Sequence, residues 1–166
     1  LARPPGGGEH LGALQPETIA FLRDRCERVT LDEGECFFRQ GQAGDSVFVL
    51  RSGRVAIMRE MGDRVLVLAE LTSGQCFGEV ALVAIGPRTA TVRALEETTA
   101  LRLRVQSIVD LHERDLEQFT ILQMNLGREV ARRLAKADEV LFEYARRCGD
   151  THPDMSLLAR SADAVK

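Results

Sequence analysis

No run of 18 apolar residues occurs in the 166-residue chain, so this segment holds no membrane span. No apolar stretch follows the arginine of the opening "LARPPGGGEH", which excludes a secretory signal there. Positive charge is not in excess: the formal net charge is −3 and the pI about 5.7. That argues against a mainly electrostatic grip on nucleic acid, so none is expected as a partner of this segment. The four cysteines, Cys26, Cys36, Cys76 and Cys148, form no C-x-x-C pair. They read as small apolar residues in a reduced, cytoplasmic setting, without zinc. His10, His112 and His152 are too dispersed for a metal site, and His112 reads as a surface residue. No serine sits in a G-x-S-x-G setting, and "PGGGEH" lacks the lysine of a phosphate loop. Nothing here marks an enzyme, a metal or a cofactor. Leu1 in place of a start methionine leaves room for a neighbouring segment that carries an output.

What is present is organised by periodicity. Residues 1–13, with Pro-Pro and three consecutive glycines, read as a flexible leader. From about Leu14 to Cys26 the pattern is helical: Ile19, Leu22 and Cys26 can share a face, and Pro16 suits a first turn. From Val29 to Arg104 the period falls to two, in runs such as "SVFVLRSGRVAIM", "RVLVLAEL" and "RTATVRAL". "SGR" and "MGD" read as hairpin turns. After Val105 the helical period returns. Leu116, Phe119, Leu122, Leu126, Val130, Leu134, Ala137, Leu141 and Tyr144 step by three or four. A single helix from Asp115 to Arg147 would be roughly 50 Å long. That exceeds the width of a small barrel, so another chain or domain is expected on part of its apolar face; a homodimer seam is the sharper option. Residues 148–166 read as a flexible tail. The expected fold is mainly β with flanking helices: a jelly-roll or β-roll barrel at about 29–105, a short N-terminal helix, and C-terminal helices at about 106–147.

The segment that carries chemistry is "FGEVALVAIGPRTATVRA", residues 77–94. "GEVALVA" interrupts the β-rich region and can make two helical turns at most. Glu79 and Arg88 flank it. One reading is a structural ion pair closing a turn; another makes "GEVALVA" a plain core helix. The third is an anion site. A buried arginine is costly without an anion, and its planar fork suits phosphate. A helix N-terminus beside it adds N–H donors, and Gly78 lets backbone approach closely. Glu79 would repel phosphate and would instead accept from a hydroxyl, such as that of a sugar. This third reading requires an Arg88 guanidinium with no internal counterion.

The segment resembles the phosphate-binding cassette of the cyclic nucleotide-binding domain family. It agrees at Phe77, Gly78, Glu79, Ala81, Leu82, Arg88, Ala90 and Val92. Upstream, Gly34, Gly41 and Gly53 have the family's spacing. The resemblance covers about residues 14–146, which makes 14–147 a single expected domain. It implies that Arg88 binds a cyclic phosphate, that Glu79 accepts from the ribose 2′-hydroxyl and that the N–H groups of Gly78 and Ala81 hold phosphate oxygens. It also implies that Val80 lines the pocket beside Ala90. Thr89 leans weakly toward dual or cGMP binding. Arg128, Arg132, Arg133 and Lys136 are candidates to cover the base, although Arg128, Arg132 and Lys136 also read as a solvated stripe. The implied function is a sensor of cAMP or cGMP, without a cofactor, that relays binding through its C-terminal helix. Alternatives are the sensing part of a truncated transcription factor, or a regulatory domain of a channel, transporter or kinase. A cupin-like enzyme would need the metal cluster that the histidines do not make.

Overall fold

A computed structural model describes residues 13–148. The expected leader and tail lie outside them, apart from their inner ends. The described chain runs α1 (Pro16–Asp24), β1 (Glu27–Leu31), β2 (Cys36–Phe38), β3 (Ser46–Ser52), β4 (Arg54–Met61), β5 (Arg64–Thr72) and β6 (Cys76–Phe77). It continues through α2 (Glu79–Val83), β7 (Thr91–Ala94), β8 (Thr98–Arg104), α3 (Val105–Arg114) and α4 (Leu116–Cys148). It divides into two compact units, one ending at Val130 and one starting at Ala131.

The first unit holds all eight strands, in two antiparallel sheets of order β1-β8-β3-β6 and β2-β7-β4-β5. The period of two decides its cores. On β3, Phe48 and Leu50 point between the sheets, where they meet Phe38, Val55, Leu71, Phe77, Val92 and Ala100. Val47, one residue out of phase, points to the other face and packs with Phe21, Leu22, Leu103, Ile108, Leu111, Leu122 and Leu126. Inner strands are therefore apolar on both faces, as expected where each face is covered. The "SGR" and "MGD" turns fall between β3 and β4 and between β4 and β5. β5 is an outer strand. Opposite it, Ile57 pairs with Ala69 and Met58 with Val67, so Leu68 is an extra residue that bulges the strand. Val65 to Leu68 are each half exposed or more.

The helices depart from expectation in detail. α1 does begin with Pro16, where a missing N–H costs nothing. Ile19, Leu22 and Cys26 do pack on one core, as expected, but Cys26 lies beyond the end of the helix and Thr18 and Phe21 are buried as well. In α4, Leu116 is 61 % exposed; the buried side is Gln118, Leu122, Asn125, Leu126 and Glu129. Two of those polar residues have visible duties. Gln118 Oε1 accepts from the N–H of Gln15, the residue that precedes α1, and Asn125 Oδ1 accepts from Arg128. Within the second unit, Leu134, Val140, Leu141, Phe142 and Tyr144 are all exposed. No helix of the described residues is long and apolar enough to cross a membrane.

Candidate functional site

The site is built where the chain leaves β6. Gly78 adopts φ +85° and sets the N-terminus of α2. That left-handed conformation disfavours any side chain, and one could enter only by pushing its neighbours aside. A Cβ on Gly78 would lie 2.7 Å from Arg88 Nη1 and 3.2 Å from the Ser46 carbonyl oxygen. The turn points Glu79 inward, where it is fully buried; Ala81 is buried one step further on. α2 lasts only five residues. Its end is closed by Gly86 N–H donating to the Ala81 carbonyl, around Ile85, which takes φ +51° and is 92 % exposed.

Arg88 returns to the same place from the far end of the cassette. The sequence suggests a strand starting at this arginine, but β7 begins at Thr91. The Arg88 backbone is instead bonded to the loop after β2: its N–H donates to the Gln42 carbonyl, and its carbonyl accepts from Gly41. The side chain is 3 % exposed. Nη1 donates to the Gly78 carbonyl at 2.8 Å and Nη2 to Ser46 Oγ at 3.2 Å. The guanidinium carbon stands 4.1 Å above the Phe38 ring, a cation–π placement. Nε is buried without a hydrogen-bond partner.

The expected lack of an internal counterion does not hold. Asp45 Oδ1 lies 3.8 Å from Arg88 Nη2. The pair is loose, because Asp45 is committed elsewhere: Arg102 Nη2 reaches its two oxygens at 3.2 and 3.0 Å, and Ser46 Oγ donates to Oδ1 at 2.8 Å. Burial pushes the Asp45 carboxyl up, but the Ser46 and Arg102 hydrogen bonds and the charges of Arg102 and Arg88 outweigh it, so it lies below the usual carboxylate range. Burial holds the Arg88 guanidinium below its ordinary value, Asp45 and Glu79 oppose that, and Arg102 reinforces it. Arginine stays charged at neutral pH regardless.

The fold therefore brings Gly78, Glu79 and Arg88 together; Glu79, Ala81 and Arg88 are buried and Gly78 is half-buried. Ala90, close to Arg88 in sequence, is buried, Val80 is half-buried, and Thr89 is exposed. Asp45, Ser46 and Arg102 were not anticipated. Arg128 bonds Asn125 on its own helix, and Arg132, Arg133 and Lys136 belong to the second unit. A cavity of about 400 Å³ along β2 is lined by Phe37, Phe38 and Gln42 among others; it contains neither Glu79 nor Arg88. Among the described residues, His, Cys, Asp and Glu nowhere gather in threes suited to a metal.

The cyclic nucleotide-binding domain family matches residues 28–115, a span that includes the whole cassette. The chain belongs to that family. A cyclic nucleotide-binding domain is thus the unit that presents Glu79 and Arg88. Its relatives include the cyclic AMP receptor protein of Thermus thermophilus, 32 % identical over 138 residues. That match covers 80 % of this chain and 62 % of the receptor, so the chain spans under two thirds of that relative's length. The crystal structure of the Thermus thermophilus catabolite activator protein superposes with a TM-score of 0.70 at 30 % identity. It covers 82 % of this chain and 62 % of that one. The N-terminal domain of a transcriptional regulator from Streptomyces coelicolor gives 0.65 at 35 % identity, over 78 % of this chain and 90 % of that one.

Proposed function

We propose that the chain is a cytoplasmic sensor that binds cAMP or cGMP and passes the event on through its C-terminal helix. The observation that carries this reading is the state of Arg88. It is a buried cation with one loose ion pair and an unbonded Nε, next to a glycine that keeps side chains away. A cyclic phosphate supplies one negative charge and oxygens for charge-assisted hydrogen bonds. The N–H groups of Gly78 and Ala81, at the start of α2, would share those oxygens. Helix starts have N–H groups with no intrahelical acceptor. Glu79, whose charge already acts on Arg88, would take the ribose hydroxyl, and Val80 and Ala90 would line the sugar's surroundings. Thr89 is exposed, and its hydroxyl suits the exocyclic groups of either base; the name of the Thermus receptor supports cAMP. No chemistry on the ligand is proposed.

Relay requires that the nucleotide bind one arrangement of the chain more tightly than another. The exposed Leu141, Phe142 and Tyr144 of α4 suit a seam with a second copy. The span of the relatives favours a second output, the sensing portion of a transcription regulator. Calorimetric titration with cAMP and with cGMP, followed by light scattering, tests the reading. One nucleotide at least should release or take up heat with one site per chain. Arg88→Ala should weaken it by roughly 1.5–3 kcal/mol or more, the range for hydrogen bonds to a charged group. Equal affinity in Arg88→Ala would remove Arg88 from the phosphate site.

A further inference from the structure

One arginine near the cassette has no duty in the reading above. Arg102 lies directly across from Phe48 on one side and from Glu27 on the other. Residues directly opposite in a sheet share a face, and Phe48 faces the space between the sheets. Arg102 is therefore a cation on the inner face of β8, only 25 % exposed. Its Nη2 holds both Asp45 oxygens, its Nε donates to Ser46 Oγ at 3.2 Å, and its Nη1 lies 3.8 Å from Glu27 Oε2. Ser46 is fully buried and its hydroxyl is saturated. It donates to Asp45 and accepts from both Arg88 and Arg102, which is all that a hydroxyl can do.

Two guanidiniums thus compete for one carboxylate, and the competition is settled unequally. Asp45 sits at 3.0 and 3.2 Å from Arg102 and at 3.8 Å from Arg88. An unoccupied Asp45 would need to move less than 1 Å to form a full ion pair with Arg88. It would then occupy the guanidinium edge that a phosphate needs.

We propose that Arg102 is a positioning residue for ligand capture. By gripping Asp45 with two bonds, it keeps that acid from closing on Arg88 and leaves the buried guanidinium open to a cyclic phosphate. The inference rests on the sensor reading and adds to it a residue outside the cassette. Its consequence is specific. Removing Arg102 lowers affinity because Asp45 is released, so removing Asp45 as well restores it.

The test is calorimetric titration of the full chain with cAMP and cGMP, in wild type, Arg102→Gln, the double variant Asp45→Asn with Arg102→Gln, and the double variant Glu27→Gln with Arg102→Gln. Arg102→Gln should weaken binding roughly tenfold or more, the scale of a charged hydrogen bond. The Asp45 double variant should recover most of that loss. The Glu27 double variant restores the same net charge but leaves Asp45 in place, and should not recover. Arg102→Gln within twofold of wild type, or equal recovery in the two double variants, overturns the proposal. In the second case only the summed charge matters. Should Arg102→Gln fail to fold, Arg102→Lys carries the same comparison, since a single ammonium nitrogen cannot hold Asp45 and Ser46 from two separate nitrogens as Nη2 and Nε do. Failure of wild type to bind either nucleotide defeats the sensor reading and this inference together; normal wild-type binding with an indifferent Arg102→Gln defeats only the latter.

Discussion

Two alanine substitutions at glycines of nearly equal φ separate strain from contact. Gly34 has φ +86° with nothing within 4 Å of an added Cβ; Gly78 has φ +85° with Arg88 Nη1 2.7 Å away. A Cβ in this backbone region costs roughly 1–2 kcal/mol, and stiffening of the unfolded chain returns about 0.4–1 kcal/mol. Gly34→Ala should therefore destabilise by about 1 kcal/mol and leave nucleotide binding alone. Gly78→Ala carries the same strain and also displaces the Arg88 guanidinium. The bond from Nη1 to the Gly78 carbonyl is a charged hydrogen bond, worth about 1.5–3 kcal/mol. The total is then about 2.5–4 kcal/mol. Urea unfolding at fixed temperature gives both numbers, and titration with cAMP and cGMP gives the functional half. If Gly78→Ala proves no costlier than Gly34→Ala and binds normally, the 2.7 Å approach has no energetic meaning and the tight cradle around Arg88 is refuted.

Ile85 is a β-branched residue at φ +51° with 92 % of its surface exposed, so Ile85→Gly relieves strain without opening a cavity. The αL penalty of roughly 1–2 kcal/mol exceeds the entropic cost of glycine, and thermal melting should move up; a fall would show that Ile85 is not strained. The Asp45 carboxyl is depressed, so its stabilising effect is complete above the unfolded value, about 3.9, and is lost as pH falls through the lower folded value. Wild type should thus lose stability relative to Asp45→Asn as the pH drops below about 4. Denaturant melts of both forms from pH 6 to pH 2.5 check this, and parallel curves would contradict it.

The strands of "SVFVLRSGRVAIM" were legible because β3 and β4 lie inside their sheets and the turn between them carries glycine, whereas "RVLVLAEL" is apolar although β5 is an outer strand with Val65 to Leu68 half exposed. The cassette was legible because Gly78, Glu79, Ala81 and Arg88 are close in sequence, and one short helix is enough to fold them onto each other. Asp45, Ser46 and Arg102 were not, for a physical reason. Arg102 meets Asp45 only because β8 pairs with β3 in one particular register, and cross-strand register is not encoded in either strand alone. Within the "LRLR" of β8, Arg102 moreover points between the sheets, opposite Phe48. The buried side of α4 was legible only in its apolar part, Phe119, Leu122 and Leu126, for a related reason. Gln118, Asn125 and Glu129 are buried, and a periodicity count that scores only apolar residues cannot include them.

The two main-chain hydrogen bonds that join Arg88 to Gln42 and Gly41 carry a cost for evolution. Surface connections usually tolerate insertions and deletions freely. Here the stretch from Arg39 to Asp45 is clasped to the reading arginine at one end and delivers Asp45 and Ser46 at the other. A single added or lost residue would shift both ends out of phase, so this exposed loop should be as intolerant of length change as a strand in the barrel's interior.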